Sequence, residues 1–88
     1  MSYEFSFEKL DVWKLAKNLC INIYDATKGF PDYEKFGLRS QLIRAAVSVV
    51  SNIAEGTSRM GSKEQARFTQ ISYGSMMEVA CQLIIARD

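Results

Sequence analysis

Residues 38–56 constrain this chain more than any other stretch does. Leu38, Leu42, Ala45, Ala46, Val49, Val50, Ile53 and Ala54 recur at three- and four-residue spacing. Together they cover more than half the circumference of a helix, wider than the single stripe of a helix lying on a surface. Such a helix needs neighbours on several sides, so the pattern predicts a bundle with 38–56 as its central helix. The rest of the circumference is one polar line, Gln41, Arg44, Ser48, Ser51, Asn52 and Glu55, and its spacing makes it a ridge down the helix. Two readings of that ridge stand: a solvated face, or a ridge buried against another subunit or a ligand.

The flanking segments are helical as well. A periodic apolar line, Leu10, Trp13, Ala16, Cys20, Ile23 and Thr27, is broadened by Val12, Leu15, Leu19 and Ala26. It predicts a first helix over 7–28, N-capped by Ser6, with a hydrophobic staple between Phe5 and Leu10. Gly29 in a left-handed C-terminal cap, followed by Pro31, is expected to stop it. Phe30, Tyr33 and Phe36 then read as aromatic plugs over one end of the bundle, in preference to a base-stacking platform. Gly56 and Gly61 bracket a helix-to-helix loop, and Ser62 with Gln65 makes a capping box for a third helix over 62–87. Gly74 sits mid-helix, where glycine costs about 1 kcal/mol relative to alanine, so a close helix crossing is expected there.

The expected core is Leu10, Trp13, Leu19, Ile23, Leu42, Ala46, Val49, Ile53, Phe68, Ile71, Val79 and Leu83. With one proline and five glycines among 88 residues, the chain reads as a single all-α domain over 1–88. Three helices with faces this broad leave one side uncovered, and the sequence ends in mid-pattern. A four-helix bundle is therefore expected, with its fourth helix missing from this sequence or supplied by another subunit. So short a chain also buries a limited share of its surface, which an oligomer or a missing segment would relieve, and because the apolar girdle and the polar ridge of 38–56 cannot both be satisfied inside one small subunit, a homo-oligomer is expected.

The chain contains no histidine, which removes imidazole acid–base catalysis and histidine metal ligation. The sequence has no phosphate-binding glycine motif and no Cys-x-x-Cys pair. No enzyme activity, cofactor or metal is expected. Cys20 and Cys81 lie in apolar helical patterns and read as small buried hydrophobes. The first ten residues carry Glu4, Glu8 and Lys9 where a signal peptide would be apolar. No uncharged run exceeds ten residues, against roughly 20 for a membrane span. A cytoplasmic protein without membrane partners is expected.

Eleven Lys and Arg against ten Asp and Glu give a net charge of +1, so any affinity for a polyanion depends on how charge is distributed. Six bases and two acids fall between Lys35 and Arg67, whereas the first 34 residues hold six acids and four bases. Lys35, Arg39, Arg59, Lys63 and Arg67 are candidate phosphate contacts around the two loops that bound the central helix. Arg44 and Glu78 have the right types for an ion pair between helices, and Glu55 for one with Arg39 or Arg59 of a neighbour. Such pairs fix register more than they add stability. The rival reading is a protein-interaction scaffold, with Met60, Met76 and Met77 as adaptable contact surface.

Several motifs together resemble a known family. They are Leu10-Asp11-Val12-Trp13, Phe30-Pro31 with Glu34 and Gly37-Leu38, Gln41-Leu42-Ile43-Arg44-Ala45-Ala46, Ser51-Asn52-Ile53-Ala54-Glu55-Gly56, and Gly74-Ser75 followed by Glu78. In this order they resemble the four-helix-bundle proteins encoded within intervening sequences of bacterial 23S ribosomal RNA genes. The resemblance covers nearly all of the chain and implies an up-down antiparallel bundle assembled as a homopentameric ring, with a role in binding ribosomal RNA or another nucleic acid. The accessory variability protein of diversity-generating retroelements is similar and implies the same theme, a basic ring that holds a nucleic acid.

Overall fold

The computed structural model describes residues 5–87. A 3-10 turn at Ser6–Lys9 leads into α1, Asp11–Ala26. Further 3-10 turns at Thr27–Gly29 and Asp32–Glu34 precede α2, Leu38–Thr57, and α3, Ser62–Arg87, completes the order. Among the described residues there is no strand, so the all-α expectation holds, with three helices.

The first helix is shorter than 7–28. Leu10 is extended, with φ −76° and ψ 129°, and divides the 3-10 turn from α1. Ser6 lies inside that turn rather than capping a helix, and the Glu8 carboxylate accepts the Phe5 N–H at 2.6 Å. The break folds Phe7 back, so that its ring meets the edge of Trp13 at 5.0 Å while Phe5 stacks on Phe7 at 5.5 Å. This aromatic stack stands where the Phe5–Leu10 staple was expected. At the other end, no glycine among the described residues has a positive φ, so Gly29 supplies no left-handed cap. Thr27 takes over the stop. Its buried hydroxyl donates to the Ile23 carbonyl at 2.7 Å, tightening the last turn before Pro31 forbids continuation.

Facing pairs fix the packing of α2 on α3. Gln41 meets Gln82, Ser48 meets Ser75, and Gly56 meets Phe68, so residue numbers rise on one helix as they fall on the other and the pair is antiparallel. Gly56 is the close crossing: a Cβ built on it would lie 3.0 Å from the Phe68 Cβ. Gly74 is not, since a Cβ there would meet nothing within 4 Å. The Ser62–Gln65 capping box also gives way, because α3 starts at Ser62 itself and the Gln65 amide donates to the Arg59 carbonyl at 2.8 Å.

On its other flank α2 receives α1, also antiparallel. Arg39 near the start of α2 bonds Thr27 just beyond the end of α1, and Leu10 and Gly56 share one groove at the opposite end. The core gathers Ile23, Leu42, Ala45, Ala46 and Val79, with Leu19, Cys20 and Phe30 packed against it. Val49, Phe68 and Ala16 are buried too. Of the expected core, Leu10, Ile71 and Leu83 are exposed, and Trp13, Leu19 and Ile53 are only half-buried. The reason is architectural. With three helices spread over 42 × 34 × 19 Å, α1 and α3 converge at the Ile23–Val79 end and stand apart at the other.

Candidate functional site

Where α1 and α3 diverge, an apolar groove of about 730 Å³ opens over α2. Leu10, Val12, Leu15 and Leu19 form one wall, Val49, Ile53 and Gly56 the floor, and Thr69, Tyr73 and Met76 the other wall. Leu15 is 70% exposed and Tyr73 67%. A volume in the range of ~300–1,000 Å³ is that of pockets which bury a ligand or an inserted side chain. The α1 wall was visible as the second apolar edge that broadens the first helix. Tyr73 carried no signal, since it stands one position from the polar Ser72 and next to Gly74.

The polar ridge of α2 divides in two. Ser48 and Asn52 are half-buried in the seam with α3. Ser48 shares a hydrogen bond with Ser75 at 2.9 Å, and the Asn52 amide donates to the Ser48 carbonyl at 2.8 Å and to its hydroxyl at 3.0 Å. Gln41, Arg44, Ser51 and Glu55 point outward and are exposed. Arg44 and Glu78 line one polar cleft of about 400 Å³ together with Gln41, Ser48, Ser75 and Gln82. They make no ion pair within 4 Å, the three among the described residues being Lys28–Asp25, Arg59–Glu55 and Arg67–Glu64. The expected Arg44–Glu78 pair is thus replaced by an open cleft, and the seam is bridged by neutral groups instead. Glu55 meets Arg59 of its own subunit at 3.5 Å.

The five basic candidates do not converge. A 20-residue α2 holds its ends about 30 Å apart, with Lys35 and Arg39 at one end and Arg59, Lys63 and Arg67 at the other. Arg39 is half-buried, and its Nε donates to the Thr27 hydroxyl at 3.1 Å, so it ties α2 to α1. Lys35 Nζ sits 5.7 Å from the centre of the Phe36 ring. At the far end, Arg59 and Arg67 both lie over the Phe68 ring, at 4.8 and 5.6 Å. Their partners Glu55 and Glu64 stand at 3.5 and 3.6 Å in exposed pairs, which contribute little and exchange readily for other anions.

The aromatic plugs are reduced to one. Phe30 packs on the core, but Tyr33 is 81% and Phe36 88% exposed. Met60 is fully exposed on the α2–α3 loop, whereas Met76 helps line the groove. Burial pushes the Cys20 thiol up from its ordinary range, which keeps it protonated and poorly nucleophilic. Cys81 is exposed, not the buried hydrophobe its pattern suggested. Among the described residues no three His, Cys, Asp or Glu side chains gather as a metal site would require, and no helix is long and apolar enough to cross a membrane.

No curated protein matches this chain. The family model described as 23S rRNA-intervening sequence protein matches residues 8–88, which include every helix and every groove residue, and the chain belongs to that family.

Proposed function

We propose that the protein is a cytoplasmic, non-enzymatic helical-bundle module that self-assembles into a homo-oligomer and presents its basic ends to structured RNA or DNA, which it binds weakly and without base specificity. The observation that carries the assembly step is the groove between α1 and α3. Among the described residues no element covers it, and the same surface leaves Leu15, Val12 and Tyr73 in water. A fourth helix or another subunit would cover it and close the bundle. Five subunits rest on the family resemblance. The chain's lack of histidine supports a role without acid–base chemistry.

The nucleic-acid step is supported by Arg59, Lys63 and Arg67 around the α2–α3 loop. Two of them have only exposed glutamate partners, which a phosphate can displace, and a ring repeats the cluster once per subunit. Phosphate contacts of this kind release counterions, so binding falls steeply with salt. Light scattering of the assembled protein, followed by titration with a ribosomal RNA fragment and with duplex DNA at low and physiological salt, tests both steps. The expected result is an oligomeric mass and binding to both nucleic acids that weakens with salt. Changing Arg59, Lys63 and Arg67 to glutamine is expected to weaken both alike and to flatten the salt dependence. An oligomer that ignores both at low salt leaves the protein-interaction scaffold as the function, a reading that the apolar groove favours by itself.

A further inference from the structure

The seam between α2 and α3 is crossed by polar rungs, and one of them is open. Gln41 and Gln82 form a rung at 3.4 Å, and Ser48 and Ser75 form another at 2.9 Å. About 10 Å of helix axis separates the two. Between them lies the polar cleft of about 400 Å³, which Arg44 lines from α2 and Glu78 from α3. The two carry opposite charge into one cleft, yet among the described residues neither is in an ion pair. Gln82, in the same lining, is unsatisfied as well. Its amide is held by the single 3.4 Å bond to Gln41, which is long for a hydrogen bond, and its Oε1 is shut off from solvent and accepts nothing. Buried acceptors are almost always paired, so one left without a donor needs an explanation.

We propose that this cleft binds a small zwitterion, a free amino acid, with its carboxylate on the Arg44 guanidinium and its ammonium on the Glu78 carboxylate. The charges in the cleft select for that class. An anion alone would meet Glu78 and a cation alone would meet Arg44, so each is repelled by one of the two groups. A molecule that carries both charges close together satisfies both and adds no net charge. Guanidinium to carboxylate and ammonium to carboxylate are charge-assisted hydrogen bonds, roughly twice as strong as neutral ones. An ammonium has three protons to donate, and turning the loosely held Gln82 amide toward it gives Oε1 the donor that it lacks. Ser75 keeps hydrogen-bonding capacity beyond its bond to Ser48, enough for a short polar side chain on the ligand. A cleft of about 400 Å³ lies at the small end of the range for ligand sites.

The test is an amide-resolved NMR titration of the full chain with L-serine, with β-hydroxypropionate, which is serine without its ammonium, and with ethanolamine, which is serine without its carboxylate. Serine is expected to give saturable shifts at Ser48, Ser75, Glu78 and Gln82 and none at Leu15 or Tyr73 in the apolar groove. Each half-molecule is expected to bind more weakly on the order of 10-fold or more, the effect of losing one charge-assisted bond and meeting a like charge. Arg44→Gln and Glu78→Gln are each expected to weaken serine binding to the same extent. Both positions are exposed in the subunit, so the fold is expected to survive, and circular dichroism checks it. Arg44→Glu/Glu78→Arg restores one cation and one anion to the cleft and is expected to regain binding that either glutamine variant loses. Equal binding of serine and its two halves, or shifts that fall in the apolar groove, overturn the proposal. If serine leaves the spectra unchanged while the two glutamine variants destabilise the protein non-additively, Arg44 and Glu78 form a structural latch in solution and the cleft is no ligand site.

Discussion

The two seams along α2 are built differently. Against α3, small residues set the spacing. Gly56 lets Phe68 approach to the limit of contact, the Ser72 hydroxyl reaches the Val49 carbonyl at 3.3 Å, and Ser48 meets Ser75. Against α1, closure is confined to the end near Ile23, Thr27 and Leu42, each no more than 4% exposed, and the seam opens toward Leu10. Small residues buy a close approach along one flank. Large ones on the other, Leu15 above all, leave apolar surface in water. Burial in this fold follows the partner available to each face rather than the hydrophobicity of the residue.

The largest effect that tests this contrast is expected at Leu42, which is fully buried. Leu42→Ala should destabilise by about 2–5 kcal/mol, because the surrounding helices cannot collapse into the space. Leu15→Ala, at a residue as apolar but 70% exposed, should change stability by no more than about 0.5 kcal/mol. Urea unfolding of both measures the difference. Equal losses would mean that the α1 flank is closed within the subunit.

That asymmetry also marks how far the sequence could be read. The periodicity of Leu42, Ala46, Val49 and Val79 reports which face of a helix is apolar, and these residues are buried as expected. It reports nothing about whether a neighbour exists there, so Ile71 and Leu83, equally periodic, are exposed. Helix ends were legible where chemistry allows few alternatives. Pro31 cannot continue a helix, and both α2 at Leu38 and α3 at Ser62 begin where the pattern placed them. They were illegible at Leu10, whose extended backbone divides the 3-10 turn from α1 and lets Phe7 pack on Trp13, since the periodic pattern runs through Leu10 without a break. The five basic candidates fall into two groups for a related reason. Lys35 and Arg39 are near Arg59 only in the sense that both loops bound α2, and a helix converts that sequence proximity into distance.

A smaller effect is expected at Gly56. Alanine there gains about 1 kcal/mol of helix propensity, but its Cβ would sit 3.0 Å from the Phe68 Cβ, an atom fixed to the α3 backbone. Overpacking of this kind costs typically 1–3 kcal/mol, so the net change should be a loss of about 1 kcal/mol. An unchanged or higher midpoint in thermal unfolding would show that the α2–α3 seam is looser than the Gly56 approach implies.

Gly74 gives the smallest effect and the opposite sign. It lies in the middle of α3, where glycine leaves the unfolded chain more freedom to lose and is destabilising by roughly 0.5–1 kcal/mol relative to alanine. No compensating contact exists in the subunit, since a Cβ at Gly74 meets nothing within 4 Å and the residue is exposed. Gly74→Ala should therefore stabilise the fold by about 0.5–1 kcal/mol, read as a rise in the urea midpoint at unchanged slope. The same variant tells the two flanks apart further if it is measured again in the homo-oligomer proposed above. A gain that persists there means that Gly74 faces water in both states. A gain that turns into a loss on assembly means that a neighbouring backbone comes as close to Gly74 as Phe68 comes to Gly56, and that the outer face of α3 carries a second small-residue contact, made between copies instead of within one.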